Sequence, residues 1–162
     1  MISGKKLTPE NALNRAAALC TRSEQAAGDI RTKLKSWGIS TYDADNIIKR
    51  LKEERFIDEQ RFAYAFVHDK FRFAGWGKIK IAYRLKSKQI PEQAINEALA
   101  NIDDEAYTSA LRHILKNKLP ELKGKEPLQV KASLLRFAAS RGFEPDLIYR
   151  ILPEFINYND ED

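Results

Sequence analysis

The sequence predicts an all-α protein built from three tandem three-helix repeats in an elongated array, and three observations predict it. Leu34-Lys35-Ser36-Trp37-Gly38-Ile39 returns as Leu85-Lys86-Ser87-Lys88-Gln89-Ile90 and, more faintly, as Ala138-Ala139-Ser140-Arg141-Gly142-Phe143. The echo extends outward. Ile30, Ile81 and Leu134 precede the motif, and Ile47/Leu51, Ile95/Leu99 and Ile148/Leu152 follow it. A recurrence of roughly fifty residues is the mark of an array whose units bury their apolar faces against one another. Second, apolar residues recur at helical spacing nearly throughout. Third, strand-like alternation occurs only at Lys78-Ile79-Lys80-Ile81, where the other two copies of the repeat are helical. The joints fall near residues 57 and 104, giving repeats 1–57, 58–103 and 104–162.

Each repeat supplies three helices. In the first, Pro9 opens a helix through Leu13, Ala16, Ala17 and Cys20; Ser23-Glu24 opens a second carrying Ala26, Ile30 and Leu34. Gly38 stops it, and a third carries Ile47, Ile48 and Leu51. Asp58 is the N-cap that starts the second repeat, with Glu59 at the positive end of the helix. Phe62, Ala65, Phe66 and Phe73 form the apolar face of that helix, and Gly75-Trp76-Gly77 breaks it. The next helix spans about Lys78–Lys88, and Pro91 begins the one after, a residue tolerated at a first helical position. The third repeat starts near Asp104, with Ala106, Ala110, Leu111, Ile114 and Leu115 as its first apolar stripe, and Pro120 ends that helix. Lys123–Pro127 is the longest loop. Helices from Leu128 to Arg141 and from Pro145 to about Ile156 complete nine.

The 162 residues are 43% hydrophobic with a net charge of +5, the balance of an ordered, mildly basic protein. The three repeats carry +4, +2 and −1. An anionic partner is therefore expected on the first two repeats and not near the acidic Asp160-Glu161-Asp162 end. Cys20 is the single cysteine, which excludes an intrachain disulfide; its apolar helical setting reads as a buried structural thiol. Met1 to Lys6 lacks a signal-peptide core, and no run reaches the ~18 apolar residues of a membrane span. Cytoplasmic residence without membrane contact is expected.

Enzymatic constellations are missing, so no catalytic residue, metal ligand or cofactor is assigned. His68 and His113 lie in different repeats, without metal-type spacing to Cys20 or to each other, and read as surface or half-buried side chains. Gly75-Trp76-Gly77-Lys78 is too short for a phosphate loop and follows no strand. The strongest polar signal is the run between Asp69 and Glu92, which holds Lys70, Arg72, Lys78, Lys80, Arg84, Lys86 and Lys88 and no acid. Lys80 and Arg84 are four apart on one helical face with Tyr83 beside them, a like-charge spacing that costs a few tenths of a kcal/mol. Such a stripe suits phosphates. Trp76, Tyr83 and Phe73 add flat faces for unpaired bases. The competing reading makes Phe73 and Trp76 core residues and the lysines solubilising, and Phe73 by itself reads as core. Arg15, Arg22, Arg31, Lys33 and Lys35 form a second basic set, diluted by Glu24 and Asp29. No repeat starts a helix with the Arg/Asn/Gln cluster that base-edge readout favours, so contact with the nucleic-acid backbone is the expectation.

These residues resemble the RecX family of regulatory proteins. The resemblance runs through Arg22-Ser23-Glu24, Ile30-Arg31-Thr32-Lys33-Leu34, Phe56-Ile57-Asp58-Glu59-Gln60-Arg61-Phe62-Ala63, Gly75-Trp76-Gly77-Lys78-Ile79-Lys80 and Leu85-Lys86-Ser87-Lys88-Gln89-Ile90. It continues in Leu135-Arg136-Phe137, Ser140-Arg141-Gly142-Phe143 and Asp146, so it covers about Leu13 to Leu152. The middle repeat is its most specific part. The family often has Asp-Asp where this chain has Asp58-Glu59, which keeps the charge. The N-terminal arm and the Lys123–Pro127 loop align poorly.

The resemblance implies three tandem three-helix repeats in a curved array, without enzymatic activity. It implies a protein that binds the RecA recombinase, generally inhibits it, and lies in the groove of the RecA–DNA filament. Some members also bind DNA. The expected partners are thus the RecA filament and, more weakly and without sequence preference, single- or double-stranded DNA, the protein itself being a monomer. The interface residues expected from the basic run are Lys70, Arg72, Trp76, Lys78, Lys80, Tyr83, Arg84, Lys86 and Lys88. The alternative is a stand-alone, non-sequence-specific DNA-binding module.

Overall fold

The computed structural model of the chain describes residues 7–156. The acidic Asp160–Asp162 end and the Met1–Lys6 start lie outside the described residues. Within them the chain is nine α-helices and two 3-10 turns, with no strand. The helices are α1 (Pro9–Arg22), α2 (Ala27–Ser36), α3 (Thr41–Glu53), α4 (Glu59–Arg72), α5 (Lys78–Ser87), α6 (Glu92–Ala100), α7 (Asp104–Lys118), α8 (Pro127–Ser140) and α9 (Pro145–Ile151). The turns are Leu119–Leu122 and Leu152–Glu154.

Local chemistry fixes where helices begin. The Thr8 hydroxyl accepts from the Asn11 N–H at 3.2 Å and the Ser40 hydroxyl from that of Asp43 at 3.1 Å. Asp58 accepts from the Arg61 N–H at 3.0 Å and Asp103 from that of Ala106 at 2.9 Å. Each such cap satisfies one orphan donor and stabilises its helix by about 1 kcal/mol. Asp103, the residue before Asp104, is thus the cap of α7.

The repeated hexapeptide is one backbone device used three times. At the end of α2 the Gly38 N–H donates to the Lys35 carbonyl (3.0 Å) and the Ile39 N–H to that of Leu34 (3.0 Å). At the end of α5, Gln89 donates to Lys86 (2.9 Å) and Ile90 to Leu85 (3.1 Å); at the end of α8, Gly142 donates to Ala139 (3.0 Å) and Phe143 to Ala138 (3.2 Å). This is the Schellman pattern, with its apolar residue turned back into the core. Gly38, Gln89 and Gly142 all have positive φ, at 82°, 62° and 94°. Ile39, Ile90 and Phe143 are all buried.

Two compact units divide the chain: Met1–Ala65 with Leu85–Ile95, and Phe66–Arg84 with Asn96–Asp162. In the first, α1, α2 and α3 enclose Ala12, Ala16, Ile30, Leu34, Ile47, Ile48 and Leu51. In the second, α7, α8 and α9 enclose Tyr107, Leu111, Leu115, Leu134, Phe143, Ile148 and Leu152. Burying a Leu or Ile side chain contributes roughly 1.5–3 kcal/mol, so each cluster stabilises its own unit.

Several expectations need correction. Ser23-Glu24 does not open a helix. Ser23 ends α1, its N–H donating to the Leu19 carbonyl at 3.3 Å, and α2 starts only after the extended Ala26. Glu24 turns instead to form an ion pair with Arg61. The last helix stops at Ile151 and tightens into a 3-10 turn, because Pro153 cannot continue it. On α4, Ala65 is exposed and Val67 buried; on α7, Tyr107 is buried and Ala106 exposed. Phe73 is not core: past the end of α4, it is 81% exposed. Cys20 is half-buried against the first unit's core, and burial followed by the Glu24 charge pushes its thiol pKa up.

Candidate nucleic-acid interface

The centre of the basic run is Trp76. Its position follows from the turn after α4: Gly75 takes φ 69°, and the Trp76 N–H donates to the Lys70 carbonyl at 3.0 Å. This returns the half-buried indole to α4, where it meets the Phe66 ring at 6.4 Å and 69°, an edge-to-face contact. Three cations from two helices converge on the ring. The Lys80 ammonium lies 4.5 Å from its centroid, the Lys70 ammonium 5.1 Å, and the Arg84 guanidinium 6.0 Å. The mutual repulsion of Lys80 and Arg84 is offset by the indole, since each cation–π contact contributes about 0.5–1 kcal/mol at an exposed site. Lys70 has a loose pairing with Asp69 at 3.8 Å, and Lys80 has no carboxylate partner among the described residues. Tyr83 is 75% exposed, and Arg72 and Lys86 are exposed as well.

Two of the nine expected residues are engaged elsewhere. The Lys78 ammonium lies over the Tyr107 ring, 4.7 Å from its centroid. Lys88 donates to the Asp29 carboxylate at 2.8 Å, within the first unit. The acid-free run is therefore not wholly without compensating acid: folding brings the first turn of α2 to Lys88, a pairing of residues fifty-nine apart in sequence.

The start of α5 is closed to phosphate. A helix N-terminus ordinarily offers unpaired N–H groups to an anion. Here Gly77 donates to the Arg141 carbonyl at 2.7 Å, Lys78 to the Tyr107 hydroxyl at 2.8 Å, and Ile79 to the Gly142 carbonyl at 2.9 Å. The Tyr107 hydroxyl in turn donates to Glu144. Burial, and then that hydrogen bond, raises the Tyr107 pKa above its ordinary value. With these three N–H groups paired, a phosphate here relies on side chains. Sequence reasoning missed Tyr107, Arg141, Gly142 and Glu144. The available signal was the glycine pair Gly77 and Gly142, each a place where another backbone approaches.

His68 stands edge-on to Phe73, and His113 contacts Asn117 at 3.1 Å. No group of three or more His, Cys, Asp or Glu side chains suited to a metal occurs among the described residues. No helix among them is long and apolar enough to cross a membrane.

Fold and site together define an all-α repeat protein with a cation-ringed indole. The family models for RecX's second and third three-helix domains match residues 58–99 and 105–152. A regulatory protein RecX of Clostridium botulinum is 34% identical over 151 residues, covering 89% of this chain and 69% of that protein. One from Prosthecochloris aestuarii is 32% identical over 145 residues, covering 90% and 93%. The crystal structure of RecX from Lactobacillus salivarius superposes with a TM-score of 0.80 at 18% identity, covering 90% of this chain and 95% of that one, a likeness of fold. The chain belongs to the RecX family of regulatory proteins.

Proposed function

We propose that this chain regulates the RecA recombinase, mainly as an inhibitor, by lying in the groove of the RecA–DNA filament. There it hinders ATP hydrolysis, strand exchange and filament extension. Family membership and the names of the relatives support the regulatory reading. The observation that carries the contact is Trp76 ringed by Lys70, Lys80 and Arg84. Cations held on a half-buried indole give phosphate contacts. Exposed Tyr83 and Arg72 of the same unit add a flat ring for stacking and a further cation. In this reading the protein is cytoplasmic and non-catalytic, acts as a monomer, and has repeats joined near residues 57 and 104.

The test is RecA-dependent ATP hydrolysis and strand exchange with added protein, alongside its affinity for bare and RecA-coated single strands. Inhibition near one protein per few recombinase subunits, with tighter binding to coated strands, is expected. Equal affinity for bare and coated strands without inhibition would favour the stand-alone DNA-binding module instead.

A further inference from the structure

A second aromatic and cationic site lies beside the first in sequence, on the other end of the same turn. In the second unit, Phe73 and Arg72 at the end of α4 line a cavity of about 550 Å³ with His113 and Lys118 of α7 and Phe137 and Arg141 at the end of α8. Phe73 is 81% exposed, and His68 braces it edge-on at 6.3 Å and 72°. A solvent-exposed phenyl ring forgoes the burial that favours it elsewhere. The Phe137 ring has the Lys118 ammonium at 5.0 Å and the Arg141 guanidinium at 5.1 Å. Lys118 is neutralised by Glu121. Arg72 and Arg141 have no carboxylate partner among the described residues.

We propose that this cavity takes one unpaired nucleotide of a single strand, its base on the face of Phe73 and its phosphate between the Arg72 and Arg141 guanidiniums. The proposal rests on the reading of Trp76 as a nucleic-acid contact and adds a second position to it. Guanidinium pairs match phosphate oxygens two at a time, and Arg141 is pre-set by its packing on Phe137. An acidic peptide would satisfy the arginines but leave the Phe73 face bare, whereas a base has a flat face to put there. Phe73 and Trp76 are three residues apart, so their α-carbons are within about 11 Å of each other. One strand crossing the turn at Gly75 reaches both rings.

The experiment is fluorescence anisotropy of the full chain with a labelled short oligothymidylate and with an abasic strand of equal length. Phe73→Ala is expected to weaken oligothymidylate binding about tenfold and leave abasic binding unchanged, while Phe73→Tyr retains affinity. Arg72→Ala with Arg141→Ala is expected to weaken both strands and flatten the salt dependence by about 0.7 in log–log slope. Because Phe73 is exposed, its thermal midpoint should match the parent's. If Phe73→Ala binds oligothymidylate like the parent, the proposal is overturned; a loss in Trp76→Ala in the same series would show that the first site stands without it. A loss in Phe73→Ala alone supports this cavity and removes Trp76. Displacement of the strand by poly-glutamate, charge for charge, would also overturn the proposal, since the cavity would then read charge alone.

Discussion

Gly77 and Gly142 approach so closely that neither has room for a side chain. A Cβ on Gly77 would lie 2.4 Å from the Gly142 carbonyl carbon and oxygen, and one on Gly142 would lie 2.3 Å from the Lys80 Cβ. That closeness lets the Gly77 and Ile79 N–H groups reach the carbonyls of Arg141 and Gly142. It sets where α5 starts, and α5 carries Lys80 and Arg84. Gly77→Ala should therefore destabilise the protein by about 3 kcal/mol, the overpacking cost plus lost hydrogen bonds. Gly124 provides the control. Its φ is 87° like that of Gly142, yet nothing lies within 4 Å of a Cβ there. Gly124→Ala should lose only about 1 kcal/mol, from backbone strain alone. Urea midpoints of the two variants measure the difference.

Gln89 occupies the position that Gly38 and Gly142 fill in the other two copies, at φ 62°. A side chain there carries about 1 kcal/mol of left-handed strain, partly offset by the greater unfolded-state entropy of glycine. Gln89→Gly should stabilise the protein by roughly 0.5 kcal/mol, seen as a raised melting temperature. A lowered one would mean that the Gln89 side chain makes a compensating contact.

Tyr107 ties stability to alkaline pH. Its pKa is raised in the folded state above the ordinary 10.0, first by burial and then by the bond to Glu144. The folded chain therefore holds this proton more tightly than the unfolded chain. The stabilisation is whole below pH 10 and is lost as the pH rises beyond it toward the folded-state value. Tyr107→Phe should remove about 1–2 kcal/mol at neutral pH, because Lys78 and Glu144 lose a partner. It should also flatten the stability profile above about pH 10. Urea unfolding of parent and variant across that range checks both effects.

The nine residues of the basic run should not contribute equally. Lys80 faces the indole without an acidic partner, whereas Lys88 is held by Asp29. Lys80→Ala should reduce the salt dependence of single-strand binding by about 0.7 in log–log slope, and Lys88→Ala should change it little. Equal effects would mean that Asp29 releases Lys88 on binding.

Helix number, the hexapeptide turns and the Asp58 cap were legible because they depend on spacing within about one repeat. Phe73 was misjudged because hydrophobicity alone does not show that α4 ends at Arg72, leaving the next residue past the helical face. Ser23-Glu24 looked like a helix start, but Glu24 is drawn to Arg61, thirty-seven residues on. Lys88 and Tyr107 follow the same rule. Their partners, Asp29 and Glu144, are brought near only by folding. Local signals set the elements; long-range pairing decided which charges remain available.

The decisive measurement is the rate of RecA-catalysed ATP hydrolysis on single-stranded DNA, titrated with the parent chain and with a Lys80→Glu, Arg84→Glu double variant of equal thermal stability. The parent should suppress hydrolysis at substoichiometric to stoichiometric amounts, and the variant should need about tenfold more. Unchanged hydrolysis with the parent, or suppression by the variant at the parent's concentration, would contradict the reading of the Trp76 cluster as the regulator's contact.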